Sequence, residues 1–127
     1  MAEAMRKIKM PYNLNVAAEV AVLASLEDVE SLREHVEAIV SERERMRQRL
    51  AKLPWLRPYP SHANFLLCEV RGRRARDIRD RLRERGILVR YFDAPGVRNC
   101  LRISVGKPEH TERLLEALAQ IGAGVGK

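Results

Sequence analysis

The sequence predicts a small α+β domain, with two N-terminal helices followed by elements in the order β-β-α-β-β-α. A mixed or antiparallel sheet of about three to four strands, with helices packed on one face, is the simplest architecture for that order. Three observations predict it. Compact apolar runs at 64–70, 87–92 and 100–105 are bounded by turn-forming residues, as buried strands are. Segments 74–85 and 108–121 instead place apolar residues at helical spacing. The 127 residues, 46% hydrophobic and 32% charged, suffice for one hydrophobic core.

Each element has a local cause. Pro11-Tyr12-Asn13 reads as a turn, and Asn13 or Asn15 can cap the following helix through its side-chain oxygen. That helix covers residues 14–25, and its valines, alanines and leucines leave almost no polar face. Such a helix must be buried all round, against a second domain or a partner chain. Asp28 caps the next helix, residues 29–52, with acidic residues in its first turn, where the dipole favours them. Val29, Leu32, Val36, Ile39, Val40, Met46 and Leu50 mark its buried stripe, and Glu42-Arg43-Glu44-Arg45 its solvated face. Pro54 ends it.

Residues 56–59 form a short strand that Pro58 and Pro60 confine to a sheet edge. Residues 64–70 form a central strand. Arg71-Gly72 turns the chain into a helix over 74–85, with Ile78 and Leu82 facing inward and Gly86 at its C-terminal cap. A strand at 87–92, a turn at Asp93-Ala94-Pro95-Gly96 and a strand at 100–105 follow. Pro108 suits the first turn of the last helix, whose buried stripe is Leu114, Leu115, Leu118 and Ile121. Gly122, Gly124 and Gly126 mark a frayed end. Residues 1–127 thus read as one domain: a lead-in over 1–13, helices over 14–52 and an α/β core over 53–121.

Composition excludes several functions. No run approaches the ~20 uncharged apolar residues of a membrane helix. The first ten residues lack the apolar region of a signal peptide, so a cytoplasmic location is expected. Cys68 and Cys100 sit in apolar runs and read as small buried thiols in a reducing compartment, with a disulfide between neighbouring strands left open. His35, His62 and His110 are isolated, so no metal site is expected. The net charge of +7 rests on nineteen arginines against five lysines and attracts polyanions. In the densest run, from Arg71 to Arg85, Asp77, Asp80 and Glu84 can pair with arginines at helical spacing, and few aromatics offer a stacking platform. A solvated helix face fits that run better than a nucleic-acid patch.

Three segments, in order, carry a resemblance. They are Lys9-Met10-Pro11-Tyr12-Asn13-Leu14-Asn15, then Ser61-His62-Ala63-Asn64-Phe65-Leu66-Leu67, then Gly86-Ile87-Leu88-Val89-Arg90 with Asn99-Cys100-Leu101-Arg102-Ile103-Ser104-Val105-Gly106. Together they resemble the C-terminal, small domain of the histidinol-phosphate aminotransferase family, within the fold type I (class I/II) enzymes that depend on pyridoxal 5'-phosphate. The resemblance covers almost the whole chain. Related enzymes, such as phospho-amino-acid decarboxylases and aromatic aminotransferases, share much of the pattern.

The resemblance implies a homodimer in which a large domain binds pyridoxal 5'-phosphate and the small domain closes over a phosphorylated amino-acid substrate. The amino group would pass between histidinol phosphate and 2-oxoglutarate, a step of histidine biosynthesis. Such chemistry needs a lysine that holds the cofactor. Lys7, Lys9, Lys52, Lys107 and Lys127 all lack the family's lysine setting, so the large domain is expected elsewhere, no cofactor is expected on this chain and it is expected not to catalyse alone. Substrate reading remains. Arg102 interrupts an apolar strand, where a charge is costly unless its face opens onto a site. It matches the family arginine that takes the substrate carboxylate, for which a planar bidentate donor is suited. Arg113, eleven residues on, matches an arginine near the substrate's anionic end. Tyr12, Asn13 and Asn64 also match family positions, with cap, turn and strand-end hydrogen bonding as their plain roles. Two other classes compete: a basic module that binds nucleic acid, and a protein-interaction module using the apolar first helix.

Overall fold

The computed structural model describes residues 2–8 and 14–124. The chain divides into two compact units, Met1–His35 and Val36–Lys127. In chain order the elements are α1 (Ala2–Ile8), α2 (Val16–Glu27), α3 (Val29–Leu50), β1 (Leu56–Pro58), β2 (Phe65–Val70), α4 (Ala75–Glu84), β3 (Arg90–Phe92), β4 (Cys100–Ser104) and α5 (Pro108–Ala123). The expected β-β-α-β-β-α order after the N-terminal helices is present, and α1 is a short further helix within the lead-in over 1–13.

In the first unit, the caps fall where short polar side chains allow them. Asn15 Oδ1 accepts from the Ala18 N–H at 2.8 Å, and Asp28 Oδ1 accepts from the Ser31 N–H at 3.2 Å. The alternative cap, Asn13, and the Pro11-Tyr12-Asn13 turn lie outside the described residues. Within the chain none of the residues of α2 is buried, and Val20 and Leu23 stand 59% and 58% exposed, so the cover expected for this helix has to come from a second domain or a partner chain. A helix that is apolar on every face outstrips what so small a unit can cover.

The second unit is a four-stranded, wholly antiparallel sheet of order β1-β2-β4-β3. The proline-bearing strand lies at an edge, as its missing donors require. Alternation assigns the faces. Leu66, Cys68 and Val70 of β2 and Leu101 and Ile103 of β4 point to one side. There they join Met46 and Leu50 of α3, Ala75, Ile78 and Leu82 of α4, and Leu114, Leu118 and Ile121 of α5 in one core. The opposite face carries none of this unit's helices. β3 is shorter than expected, because residues 87–89 precede the sheet pairing. Gly86 takes φ +72° just beyond α4, and the Ile87 N–H returns to the Leu82 carbonyl at 2.9 Å, closing the helix end as its position predicts.

The two thiols are free and buried, and the register settles the disulfide question. Cys68 lies opposite Leu101 and Cys100 opposite Glu69, so adjacent positions send the two thiols to opposite faces. Burial pushes the Cys68 thiol up to about 12.

The stripe on α3 needs correction. Only Met46 and Leu50 of the expected set are buried, whereas Glu42 and Arg43, assigned to the solvated face, are each 7% exposed. Pairing makes this tolerable. Arg45 grips Glu42 through two 2.8 Å bonds and reaches Glu112 of α5 at 2.7 Å, and Arg49 also binds Glu112. Arg43 Nη1 donates to the Ala63 carbonyl at 3.2 Å. The hydrogen bonds from Arg45 hold Glu42 below its ordinary 4.5, and those from Arg49 and Arg45 do the same for Glu112. A lowered folded-state value means stability that is present above 4.5 and lost as pH falls through the folded values. Thermal unfolding followed by circular dichroism is therefore expected to be flat with pH down to 4.5 and to weaken below it, with Glu42→Gln reducing that dependence.

Candidate substrate-anion site

The sheet face opposite the core places two arginines, Arg90 and Arg102, side by side. Register places Phe65, Leu67 and Glu69 of β2 on it, with Cys100, Arg102 and Ser104 of β4 and Arg90 and Phe92 of β3. Arg102 faces Leu67 on one side and Arg90 on the other. Its guanidinium carbon stands 5.3 Å from the Phe65 ring centre and 6.0 Å from that of Phe92. The Phe92 ring is shared, with Arg90 at 5.6 Å.

Aromatic faces hold a guanidinium in place without neutralising it, and they leave its planar edge of N–H donors free. Among the described residues, no carboxylate pairs with Arg102. The face's one carboxylate, Glu69, is engaged elsewhere: Arg71 at 3.2 Å, Arg57 at 3.7 Å and the Tyr59 hydroxyl, which donates at 3.4 Å. The face can therefore bind a planar oxyanion by a charge-assisted, two-pronged contact, with aliphatic and aromatic walls supplied by Leu67, Phe65 and Phe92.

The loops that frame this face are tied by hydrogen bonds. Ser61 Oγ donates to the Phe65 carbonyl at 2.7 Å and accepts from the Ala63 N–H at 3.1 Å. The Asn64 carbonyl accepts from the Val105 N–H at 2.8 Å, which fixes the strand end beside Phe65. The Asn64 side chain is exposed. Arg113 is not brought beside Arg102. It lies on α5, in the helical layer, where Nη2 donates to the Arg85 carbonyl at 3.0 Å at the end of α4. Tyr12 and Asn13 lie outside the described residues. The sequence reading missed Phe65 and Phe92 as the flanks of Arg102, although alternate positions in 65–70, 90–92 and 100–104 carry that signal once the strands are paired.

Over residues 1–118 the chain matches the family model described as aminotransferase class I and II. The chain belongs to that family. It is 54% identical over 118 residues to a histidinol-phosphate aminotransferase of Roseiflexus castenholzii, covering 91% of this chain and 32% of that protein. A histidinol-phosphate aminotransferase of Dehalococcoides mccartyi is 48% identical over 122 residues, 96% of this chain and 34% of that protein. The crystal structure of histidinol-phosphate aminotransferase from Sinorhizobium meliloti in complex with pyridoxal-5'-phosphate superimposes with a TM-score of 0.82 at 29% identity, over 98% of this chain and 35% of that one. The chain thus spans about a third of the length of the curated relatives it matches.

For a class I and II aminotransferase, the question is whether these residues fit the cofactor. An imine-forming lysine must shed its proton, which burial or a neighbouring cation favours. Lys7, Lys52 and Lys107 are all exposed, and Lys107 sits at the start of α5. The described residues therefore do not form a cofactor anchor. Among them, no group of three or more His, Cys, Asp and Glu side chains could hold a metal, and no helix is long and apolar enough to cross a membrane.

Proposed function

We propose that this chain is the substrate-closing small domain of a cytoplasmic, homodimeric histidinol-phosphate aminotransferase, acting in histidine biosynthesis. The observation that carries the reading is Arg102, held between two aromatic rings on a sheet face without an ionic partner among the described residues. A large domain supplies pyridoxal 5'-phosphate and its lysine, and the cofactor acts as the electron sink of amino transfer. This chain supplies binding and orientation, and is inactive without that domain.

Arg102 takes the carboxylate of glutamate or 2-oxoglutarate by a bidentate contact. Arg113 is the second candidate cation for the anionic end of the substrate, and in that role it exchanges its bond to the Arg85 carbonyl for one to substrate. Tyr12 and Asn13 are candidate supports for the site, and Asn64 supports it through its carbonyl. The apolar faces of α2 meet the large domain or the partner subunit. The matches to histidinol-phosphate aminotransferases at 54% and 48% identity favour histidinol phosphate as the amino partner over other phosphorylated amines.

Rescue of a histidine auxotroph that lacks this transferase tests the proposal. A polypeptide joining this chain to a cofactor-bearing large domain is expected to restore growth without histidine. Failure of a soluble, cofactor-loaded polypeptide to do so counts against it.

A further inference from the structure

We propose that Asn99 is a positioning residue for Arg102. Its consequence for turnover rests on the reading of Arg102 given above, but its geometry does not.

Asn99 stands immediately before β4 with φ +60°, the left-handed conformation that asparagine tolerates better than most side chains. Its amide is fully used. Nδ2 donates to the Val70 carbonyl at 2.6 Å and to the Arg73 carbonyl at 2.9 Å, and Oδ1 accepts from the Ala75 N–H at 2.7 Å. Its own carbonyl accepts from the Val70 N–H at 3.0 Å. Arg74, at the N-cap of α4, makes no side-chain capping bond. Asn99 supplies that cap from 24 residues away in sequence.

One side chain therefore pins the end of β2, the start of α4 and the start of β4. The consequence lies three residues on. A one-residue slip of β4 against β2 would send Arg102 to the face that now holds Leu101 and Ile103, and bring those apolar side chains out. The bonds from Asn99 fix the β4 register at its first pair, Glu69 with Cys100, and so fix Arg102 between Phe65 and Phe92.

The test uses the isotope-labelled full chain. The Arg102 Nε–H resonance, assigned by its loss in Arg102→Lys, is expected to be displaced by the ring currents of Phe65 and Phe92. Asn99→Gly keeps the left-handed backbone and removes all three side-chain bonds. Asn99→Asp keeps only the acceptor for Ala75. In each, the displacement is expected to collapse towards that of a free arginine. Arg73→Ala, which removes bonds to the Ile121 and Gly122 carbonyls, is expected to keep it. Retention of the displacement in both Asn99 variants overturns the proposal. So does global loss of amide dispersion in both, because Asn99 would then decide the whole sheet rather than the placement of Arg102. In the intact enzyme, Asn99→Gly is expected to raise KM for glutamate about tenfold with little change in kcat, the equivalent of one weakened charge-assisted contact. If Arg102→Ala leaves KM unchanged, the functional reading fails while the spectroscopic result still stands.

Discussion

Replacing Arg102 by alanine in the intact enzyme is expected to raise KM for glutamate and 2-oxoglutarate by about tenfold to a hundredfold, the equivalent of the ~1.5–3 kcal/mol carried by a hydrogen-bonded charge pair. The fold is expected to survive. Arg102 is half-buried on the face opposite the core, and among the described residues no carboxylate depends on it, so its removal strands no buried partner. Arg102→Lys retains the charge but loses the planar fork, and is expected to recover only part of the affinity. Steady-state kinetics with both substrates, beside thermal unfolding of each variant, check this. An unchanged KM in a folded Arg102→Ala enzyme contradicts it.

The second large effect concerns α2. Val16, Val20, Val22, Leu23 and Leu26 are all more than half exposed. So dense an apolar surface drives association. The isolated chain is expected to self-associate in sedimentation experiments, and Val20→Lys with Leu23→Lys to render it monomeric. Unfolding of the second unit is expected to stay unchanged, since α2 buries no residue. In the intact enzyme, the same pair of lysines is expected to abolish assembly, because two desolvated charges would have to enter an apolar contact without partners. A monodisperse wild-type chain at high concentration contradicts this account of α2.

How far the sequence disclosed these features follows from the range of the interactions involved. Strands 65–70 and 100–104 and the stop at Gly86 were legible, because each is set by alternation or by one residue's conformational preference, whereas the cap of α2 was narrowed only to Asn13 or Asn15. Glu42 and Arg43 were misplaced, because their burial depends on Glu112 and Ala63, far along the chain. Arg102 stood out because a charge broke an apolar run. Its flanks, Phe65 and Phe92, come from two other strands and emerge only with the register. Asn99 was visible as part of a motif, but nothing local discloses a residue that caps a helix beginning 24 positions earlier. Arg113 shows the opposite case: a position matched in sequence whose observed bond is to the helix end at Arg85.

The most direct test is a graft. This chain replaces the matching third of the Roseiflexus castenholzii relative, to which it is 54% identical, and amino transfer between histidinol phosphate and 2-oxoglutarate is measured. Turnover is expected in the graft and, on Arg102→Ala, a rise in KM for the dicarboxylate with the cofactor still bound. A folded, cofactor-loaded graft that transfers no amino group, or whose KM ignores Arg102, would contradict it.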